Sequence, residues 1–222
     1  MKLKKASKKA IIYSTNNFHY ARRRPGTSNI AYSVFNKKNE WCGCIIYGRG
    51  ANPSIGKPYN LLHGQVIELV RMALNGKQES TSKALALSLK LIKKECPTVK
   101  LIISYADKGQ KHIGTIYQAT NWYYVAQTNT TGKEYWYKGR WTHSKTISDK
   151  KRFYGLKINH LKTRKTSGKI KYLYPITKDA RKLCEKIKKP YPKKKLCVDG
   201  VKVAQYTTSI KEEVQYLPQR SN

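Results

Sequence analysis

Acidic residues are scarce in this chain. Only 12 Asp and Glu accompany 46 Lys and Arg, so the formal net charge of the 222 residues is +34. A charge of this size destabilises the compact state by self-repulsion unless a polyanion neutralises it. Nucleic acid is the partner that such a composition predicts, because phosphate neutralisation and counterion release reward clustered cations. An AT-rich coding sequence is an alternative source of lysines, but it does not account for the shortage of acids.

Long apolar runs are also missing. No run approaches the length of a transmembrane helix, and the chain has no lipidation motif. The first ten residues resemble the basic start of a signal peptide, but the following IIYSTNNF is too short and polar for its apolar core. We therefore expect a cytoplasmic protein with no membrane partner.

The cysteine pattern and several familiar motifs exclude other classes. Five cysteines, an odd number, do not form a disulfide framework in a chain of this length. One residue separates Cys42 from Cys44, whereas a zinc or redox pair has two between its cysteines. At alternating positions of a strand, the two cysteine side chains would face the same side of the sheet. The chain lacks GxxxxGK[ST], GxSxG, HExxH and the paired motifs of zinc deaminases and adenine methyltransferases.

The stretch from 100 to 125, KLIISYADKGQKHIGTIYQATNWYYV, organises the rest of the chain. It predicts a strand, a polar turn, a short helix over 114–121 and a second strand. Asp107 comes at the carboxyl end of the first strand, where open α/β sheets place their ligands. Asp107 is therefore the leading candidate for a reactive group.

The preceding and following segments complete an α/β pattern. A strand over 65–74, a helix over 80–95 and the strand at 101 imply two neighbouring parallel strands. We expect an α/β fold with a mixed sheet. The other predicted elements are strands at 11–13, 29–36, 41–47 and 169–175 and a helix at 179–189, with further basic strand and loop at 150–171.

The domain organisation follows from charge and pattern. Residues 1–10 carry five lysines and are expected to form a flexible basic arm. A single domain is expected from 11 to 195, including a basic extension from about 128, and a partly disordered tail from 196 to 222.

Three basic segments are candidates for nucleic-acid contact. Three arginines follow His19-Tyr20 after one alanine, another arginine lies between two glycines, and cations alternate with rings near 138. The alternatives are solvated basic loops and a half-buried edge strand. The candidate residues are Arg22, Arg23, Arg24, Arg49, Lys138, Arg140 and Trp141.

Glu68 is an unusual residue for its position. It lies among Val66, Ile67 and Leu69, where a carboxylate needs a partner or a task. Arg71, three residues later, would face the other side of an ideal strand.

Four segments together resemble the phage Mom family of DNA modification proteins. They are GRGAN at 48–52, ELVRMAL at 68–74, SYAD at 104–107 and HIGTIYQATNW at 112–122, and the resemblance spans about residues 15–175. It implies a GNAT-like acyltransferase fold with a central mixed, largely antiparallel sheet flanked by helices. It also implies a phage enzyme that adds a carbamoylmethyl (acetamido) group to N6 of adenine in double-stranded DNA, which protects the DNA from restriction.

The resemblance also implies a donor site and a metal. The strand over 65–74, with Arg71, would pair with a cofactor arm, and the helix start would hold a pyrophosphate through Ser80, Thr81, Ser82 and Lys83. The usual R/Q-x-x-G-x-G/A loop is missing, so the donor stays open between acetyl-CoA and another acyl or aminoacyl donor. The family's link to iron makes His19, with Tyr20 or His112, a candidate ligand.

The expected mechanism begins with flipping the target adenine out of the duplex. Asp107, with Ser104, would orient or deprotonate its amine, and Tyr20 or Tyr117 would stack on the base or act as an acid, with His19 at the edge of the site. Two other readings stay open: a non-enzymatic basic nucleic-acid-binding protein, and a GNAT-like acyltransferase acting on RNA or a protein amine. The sequence does not indicate an oligomeric state.

Overall fold

The computed structural model describes residues 1–50, 54–128 and 132–193, together with the backbone of 195–198 and 201–204. The chain divides into two compact units, Met1–Tyr191 and Pro192–Asn222. The elements in chain order are β1 (Lys2–Lys5), α1 (Lys8–Asn17), β2 (Ile30–Phe35), β3 (Trp41–Gly48), β4 (Val66–Leu74), α2 (Thr81–Glu95), β5 (Leu101–Asp107), α3 (Thr115–Gln118), β6 (Tyr123–Gln127), β7 (Lys133–Tyr137), β8 (Arg140–His143), α4 (Ser144–Tyr154), β9 (Thr163–Lys165), β10 (Lys169–Pro175), α5 (Lys178–Ile187), β11 (Lys195–Val198) and β12 (Val201–Ala204).

A seven-stranded sheet forms the centre of the first unit. Its order is β1-β2-β3-β4-β5-β10-β6, with β4 and β5 parallel and the other pairs antiparallel. The predicted α/β class and the mixed, largely antiparallel sheet are therefore confirmed. In the second unit β11 and β12 pair as an antiparallel hairpin, and the rest of the tail predicted from 196 lies outside the described residues.

Helices cover both faces of the sheet. The predicted helix α2 begins where Ser80 Oγ accepts the amide of Lys83 at 3.2 Å, and it ends at Glu95, two residues before Pro97. Its buried side chains, Ala84, Leu85, Leu89 and Ile92, pack on one face of the sheet. Helices α1 and α5 cover the opposite face, through contacts of Ile11 with Cys44 and Ile46 and of Ala180 and Cys184 with Leu101 and Ile103.

The N-terminal segment differs from the prediction. The flexible arm expected at 1–10 is instead the edge strand β1, paired with β2, followed by the first turn of α1. Lysine is typical of exposed sheet edges, so a Lys-rich segment at the terminus conceals a strand. The strand predicted at 11–13 is also wrong, because Ser7 caps a helix there and Ile11 is buried beneath it.

A bulge in β3 separates the two neighbouring cysteines. Gly43 pairs with Val34 and Trp41 with Phe35, so Cys42 is the extra residue. Cys42 therefore faces α2 whereas Cys44 faces α1, and the expectation that they share a side is wrong.

The basic extension forms a small substructure of its own. Strands β8, β7 and β9 make a three-stranded sheet, and α4 packs against β7 and β8. The sequence did not predict α4, because Ile147 is its single buried residue and leaves no apolar period to detect. Residues 129–131, at the start of this extension, lie outside the described part.

Candidate active site

The parallel strands β4 and β5 separate halfway along their length. Their pairing covers Val66–Glu68 against Leu101–Ile103, after which β4 follows β3 and β5 follows β10. At the point of separation the Ser104 hydroxyl donates to the Leu69 carbonyl at 2.9 Å. The result is a cleft in the sheet, with the main chain of β4 along one wall.

A bulge in β4 changes which side chains share a face. Arg71 pairs with Ile46 and Leu69 with Tyr47, so Val70 is the extra residue. Because the alternation shifts by one position, Glu68 and Arg71 face the same side as α1. The expectation that Arg71 faces away from Glu68 is therefore wrong.

Asp107 is held at the end of β5 by three hydrogen bonds. Its Oδ1 accepts the Gly109 amide at 2.8 Å and the Ser167 hydroxyl at 3.1 Å. Its Oδ2 accepts the Tyr20 hydroxyl at 3.1 Å. These donors orient the carboxylate, and its remaining lone pairs can accept a further proton donor.

The segment after α1 brings His19 and Tyr20 to this carboxylate. The two rings are 4.3 Å apart, and about half of the Tyr20 surface is exposed. Burial, followed by the charge of Asp107, raises the pKa of Tyr20 to about 12. Tyr20 therefore stays protonated at neutral pH, and its hydroxyl donates a hydrogen bond to Asp107.

His19 is a neutral ring in this setting. Burial, followed by the charges of Arg71 and His112, lowers its pKa to about 4. Its Nδ1 accepts the amide of Ala21 at 3.1 Å, so the proton of the neutral ring lies on Nε2. His19 can therefore donate one hydrogen bond through Nε2.

Arg71 and Glu68 place opposite charges beside this cluster. Arg71 Nη1 donates to the Val70 carbonyl at 2.8 Å, but its buried Nε has no hydrogen-bond partner among the residues that the structure describes. Burial raises the pKa of Glu68, against the lowering effect of Lys169 and Arg71. A buried guanidinium N–H without an acceptor is energetically costly. The Nε–H of Arg71 is therefore suited to donate a hydrogen bond to an acceptor atom of a ligand.

Ser104 and Tyr117 form a separate pair within the cleft. Their hydroxyl oxygens are 2.8 Å apart, Ser104 is buried, and the Tyr117 ring packs 5.1 Å from Trp122 and 5.0 Å from Tyr172. Burial raises the pKa of Tyr117 to about 12. Ser104 and Asp107 lie three positions apart on β5, so they face opposite sides of the sheet.

The start of α2 follows β4 at the open end of the cleft. Ser80 Oγ accepts the Lys83 amide and lies 3.0 Å from Ser82 Oγ, while Gln78 donates to the Thr81 hydroxyl at 2.9 Å. The three hydroxyl groups predicted to hold a pyrophosphate thus hydrogen-bond within this turn, and Lys83 is exposed.

The residues predicted to contact DNA lie in three places. Arg22, Arg23 and Arg24 are exposed in the turn after His19 and Tyr20, and the charge of Arg23 reaches Arg71. Arg49 is exposed after β3. Lys138, Arg140 and Trp141 belong to the β7–β8 hairpin of the extension, where the Trp136 and Trp141 rings are 5.3 Å apart.

The residues around His19 do not provide a suitable set of ligands for iron. Across the part of the chain that the structure describes, no three His, Cys, Asp or Glu side chains are grouped to hold a metal ion. His19 Nδ1 is occupied by a backbone amide and the Tyr20 hydroxyl is directed to Asp107. The expected iron site is therefore not supported.

Two contributors were not predicted from the sequence. Ser167 donates to Asp107, and Lys169, at the start of β10, pairs with Asp107 in the sheet register. Both lie about 60 residues beyond Asp107, in a basic segment without a local motif. Only the pairing of β10 with β5 brings them to the site.

No helix in the described ranges is both long and apolar enough to span a membrane.

Comparison with known proteins gives one family and several structures. The family model described as the Mom protein family matches residues 1–193. The methylcarbamoylase Mom of Escherichia phage Mu is 31% identical over 188 residues, covering 79% of this chain and 76% of that protein.

Several solved structures with which the chain aligns are acetyltransferases. A GNAT-family acetyltransferase from Bacillus anthracis aligns with a TM-score of 0.40 and 10% identity over 66% of both chains. Arabidopsis thaliana NAA60, in complex with a bisubstrate analogue, aligns with a TM-score of 0.48 and 8% identity over 79% of this chain and 99% of that one. The sheet of this chain is mixed, has seven strands and is flanked by helices on both faces.

Proposed function

The chain belongs to the Mom protein family, and on that premise we propose that it transfers a carbamoylmethyl (acetamido) group to N6 of adenine in DNA. The observation that carries the proposal is the oriented carboxylate of Asp107, with Tyr20 and His19 beside it at the end of a split sheet. The consequence for the phage would be DNA that host restriction enzymes do not cut.

The acceptor needs help to react, because the exocyclic amine of adenine is a weak nucleophile. In the proposed step a bond forms between N6 and the transferred carbon, and the bond from that carbon to the donor's leaving atom breaks. The leaving atom keeps the electron pair, and the N6 proton passes to Asp107. Gly109 and Ser167 hold this carboxylate in place, which favours proton transfer from a fixed direction.

Tyr20 and His19 are suited to positioning the base. Tyr20 is half exposed and lies over the neutral ring of His19, so the pair offers an aromatic surface for a planar purine. The Nε2–H of His19 can donate to a ring nitrogen of adenine. A base inside a duplex cannot reach this surface, so the proposal includes flipping the adenine out of the helix.

The donor is proposed to enter through the cleft between β4 and β5. Arg71 Nε needs an acceptor, and the β4 main chain beyond Glu68 has no ladder partner in β5. The buried Ser104 and Tyr117 side chains lie on the face of the sheet opposite to Asp107. Tyr117 keeps its proton and donates a hydrogen bond to Ser104, which donates to the Leu69 carbonyl, so the pair is assigned a positioning role where β4 and β5 separate.

A carbamoylmethyl product requires that the carbon attacked by N6 is a methylene carbon of the donor that carries the leaving atom. An acyl-CoA or an aminoacyl donor would instead form an amide at N6 through its carbonyl carbon, and a glycyl amide would then have to rearrange to the isomeric carbamoylmethyl group. Any phosphates of the donor would lie nearest to Ser80–Lys83.

DNA binding would rest on the exposed cations. Arg22, Arg23 and Arg24 adjoin the Tyr20–Asp107 pair, so they would hold the backbone around the flipped nucleotide. Lys138 and Arg140 would extend the contact along the duplex. The net charge of +34 supports a polyanionic acceptor over a protein amine.

Mass spectrometry of nucleosides from plasmid DNA tests the proposal, after expression of the protein in a bacterium. We expect a deoxyadenosine heavier by one carbamoylmethyl group, and fragmentation distinguishes a methylene link from an isomeric aminoacyl amide. Unmodified DNA, with the protein folded and bound to DNA, would favour the non-enzymatic nucleic-acid-binding reading. A modified nucleoside found only in RNA from the same cells would point to the RNA acceptor.

A further inference from the structure

A cavity of about 710 Å³ lies between β1, α1, β2 and the start of β3, and it includes none of the residues assigned above. Its volume falls within the range of about 300–1,000 Å³ typical of ligand pockets. We call it the aromatic groove and define it by Lys4, Lys5, Lys9, Tyr13, Phe18 and Trp41.

Three rings of the groove pack against one another. The ring centroids of Tyr13, Phe18 and Trp41 are 5.7–5.8 Å apart in every pair. Trp41 Nε1 donates to the Ser33 hydroxyl at 3.3 Å, which holds the indole in position, while Tyr13 is 55% exposed. Such a cluster presents a rigid aromatic surface on which a planar ring can stack.

The charges of the groove have one sign. Lys4, Lys5 and Lys9 belong to its lining, which contains no carboxylate. Lys5 pairs with Tyr32, and its Nζ lies 4.0 Å from Glu95 of α2, so its side chain is directed to the opposite face of the sheet. Lys4 and Lys9 take part in none of the described ion pairs. Aromatic rings beside unpaired cations favour a ligand that carries both a planar ring and a phosphate, which is a nucleotide.

The groove adjoins the candidate active site along the chain and on the sheet. Phe18 is followed at once by His19 and Tyr20, so the Cα atoms of Phe18 and Tyr20 are at most about 7 Å apart. Ser33 pairs with Cys44, and Ile46 pairs with Arg71, so the groove and Arg71 lie on the same face. A strand bound at Tyr20 would therefore continue into the groove.

We propose that the aromatic groove binds an unpaired nucleotide of the DNA strand that carries the target adenine. Its base would stack on Tyr13 and Trp41, and its phosphates would contact Lys4 and Lys9. This rests on the proposed function only in taking DNA as the partner. Binding a second nucleotide of the same strand would help to keep the duplex open while the adenine occupies the Tyr20–Asp107 site.

Photo-crosslinking locates the bound base. The full-length protein is irradiated with a single-stranded oligonucleotide containing 5-iodouracil, and the crosslinked peptides are identified by mass spectrometry. We expect adducts on the peptides that contain Tyr13 or Trp41. Adducts confined to other peptides, such as the one containing Tyr137 and Trp141, would overturn the proposal.

Binding of a labelled oligothymidine, followed by fluorescence anisotropy, tests the side chains. Tyr13→Ala should weaken binding about tenfold, whereas Tyr13→Phe, which keeps the ring, should bind like the parent protein. The double variant Lys4→Gln/Lys9→Gln should reduce the salt dependence by about 1.4 in log–log slope, and Lys186→Gln on α5 is the matched control. Unchanged binding by a folded Tyr13→Ala variant, or an unchanged salt slope of a folded lysine variant, overturns the proposal. If neither variant folds, the crosslinking result decides.

Two further results separate this inference from the proposed function. If plasmid DNA is modified but the groove variants bind as the parent does, only the groove assignment fails. If the groove variants bind weakly while no DNA is modified, the groove assignment holds and the catalytic proposal fails. Binding of free thymidine monophosphate as tightly as the oligonucleotide would overturn the assignment to a DNA strand.

Discussion

The Tyr20 hydroxyl donates to Asp107 Oδ2 at 3.1 Å, across 87 residues of sequence. This hydrogen bond joins the turn after α1 to the carboxyl end of β5. Because Tyr20 is half exposed and Asp107 is also bound by Gly109 and Ser167, the pair is both ordered and accessible to a large substrate. These properties suit a group that must meet a base delivered from a DNA duplex.

Replacing Asp107 by Asn should abolish modification without loss of DNA binding. The amide cannot accept the N6 proton, so the yield of modified deoxyadenosine should fall at least about 100-fold. The measurement is nucleoside mass spectrometry on plasmid DNA, with binding followed by fluorescence anisotropy. Tyr20→Phe, which removes a single hydrogen bond to the same carboxylate, is the matched control and should lose only about tenfold. Full modification by Asp107→Asn would show that Asp107 is not the proton acceptor.

The neutral state of His19 predicts a pH dependence of stability. Its pKa in the folded state is about 4, below the ordinary value of 6.5. Between these values the unfolded chain binds a proton that the folded chain does not, so the free energy of unfolding falls as the pH is lowered through this window. For a partly exposed ring we expect a loss of about 1–2 kcal/mol by pH 4.

His19→Gln is the variant that isolates this effect. Urea unfolding of both proteins at pH 7 and pH 5 should show a smaller loss of stability for the variant. Glu68 acts with the opposite sign, because its raised pKa adds stability below its ordinary value of 4.5 that is lost as the pH rises. That contribution is common to both proteins and cancels in the comparison. Equal losses would contradict a lowered pKa at His19.

Gly114 should tolerate no side chain. It has φ of +84°, and a Cβ there would lie 2.3 Å from the ring of Tyr172. The ring cannot easily move, because the Tyr172 hydroxyl donates to the Ile113 carbonyl at 2.6 Å and accepts from Gln118 at 3.1 Å. We expect Gly114→Ala to lower the free energy of unfolding by about 2–4 kcal/mol, from backbone strain and overpacking together.

Gly76→Ala separates these two causes. Gly76 has nearly the same φ, +85°, but no atom lies within 4 Å of a Cβ built there. Chemical denaturation should therefore show a loss of only about 1–2 kcal/mol, due to the backbone alone. Equal losses for the two variants would show that the contact with Tyr172 costs nothing.

The extension is expected to contribute to DNA affinity but not to chemistry. The double variant Lys138→Gln/Arg140→Gln should reduce the salt slope of duplex binding by about 2 and weaken binding to all sequences alike. Lys93→Gln, an exposed lysine on α2, is the control. A salt slope equal to that of the parent protein would show that Lys138 and Arg140 do not contact phosphates.

Much of the sheet could be predicted because its signals are local. Ser80, followed by apolar residues that include Leu85 and Leu89, predicted α2. The apolar run from Leu101, with a helix before it, predicted the parallel pair β4 and β5. The elements that were missed lack such signals. Helix α4 buries only Ile147, and β1 is a basic edge strand whose pairing with β2 is not local.

The candidate site was predictable residue by residue but not as an arrangement. The strand end predicted Asp107, the segments shared with the family added Ser104 and Tyr117, and the pair before the three arginines indicated Tyr20. Strand alternation and pairing place Ser104 with Tyr117 and Tyr20 with Asp107. Ser167 and Lys169 carry no motif, so they join the site solely through the pairing of β10 with β5.

Local composition and period therefore determined the charge, the α/β class, the capped helix and the position of Asp107 at a strand end. Two bulges, at Cys42 and Val70, determined which faces the cysteines and Arg71 occupy. A bulge is set by the register of a neighbouring strand rather than by the residues around it. For the same reason the Tyr20–Asp107 contact forms only when α1 packs on the sheet. The contacts of α1 with β3, which are distant in sequence, fix the position of the turn that carries Tyr20.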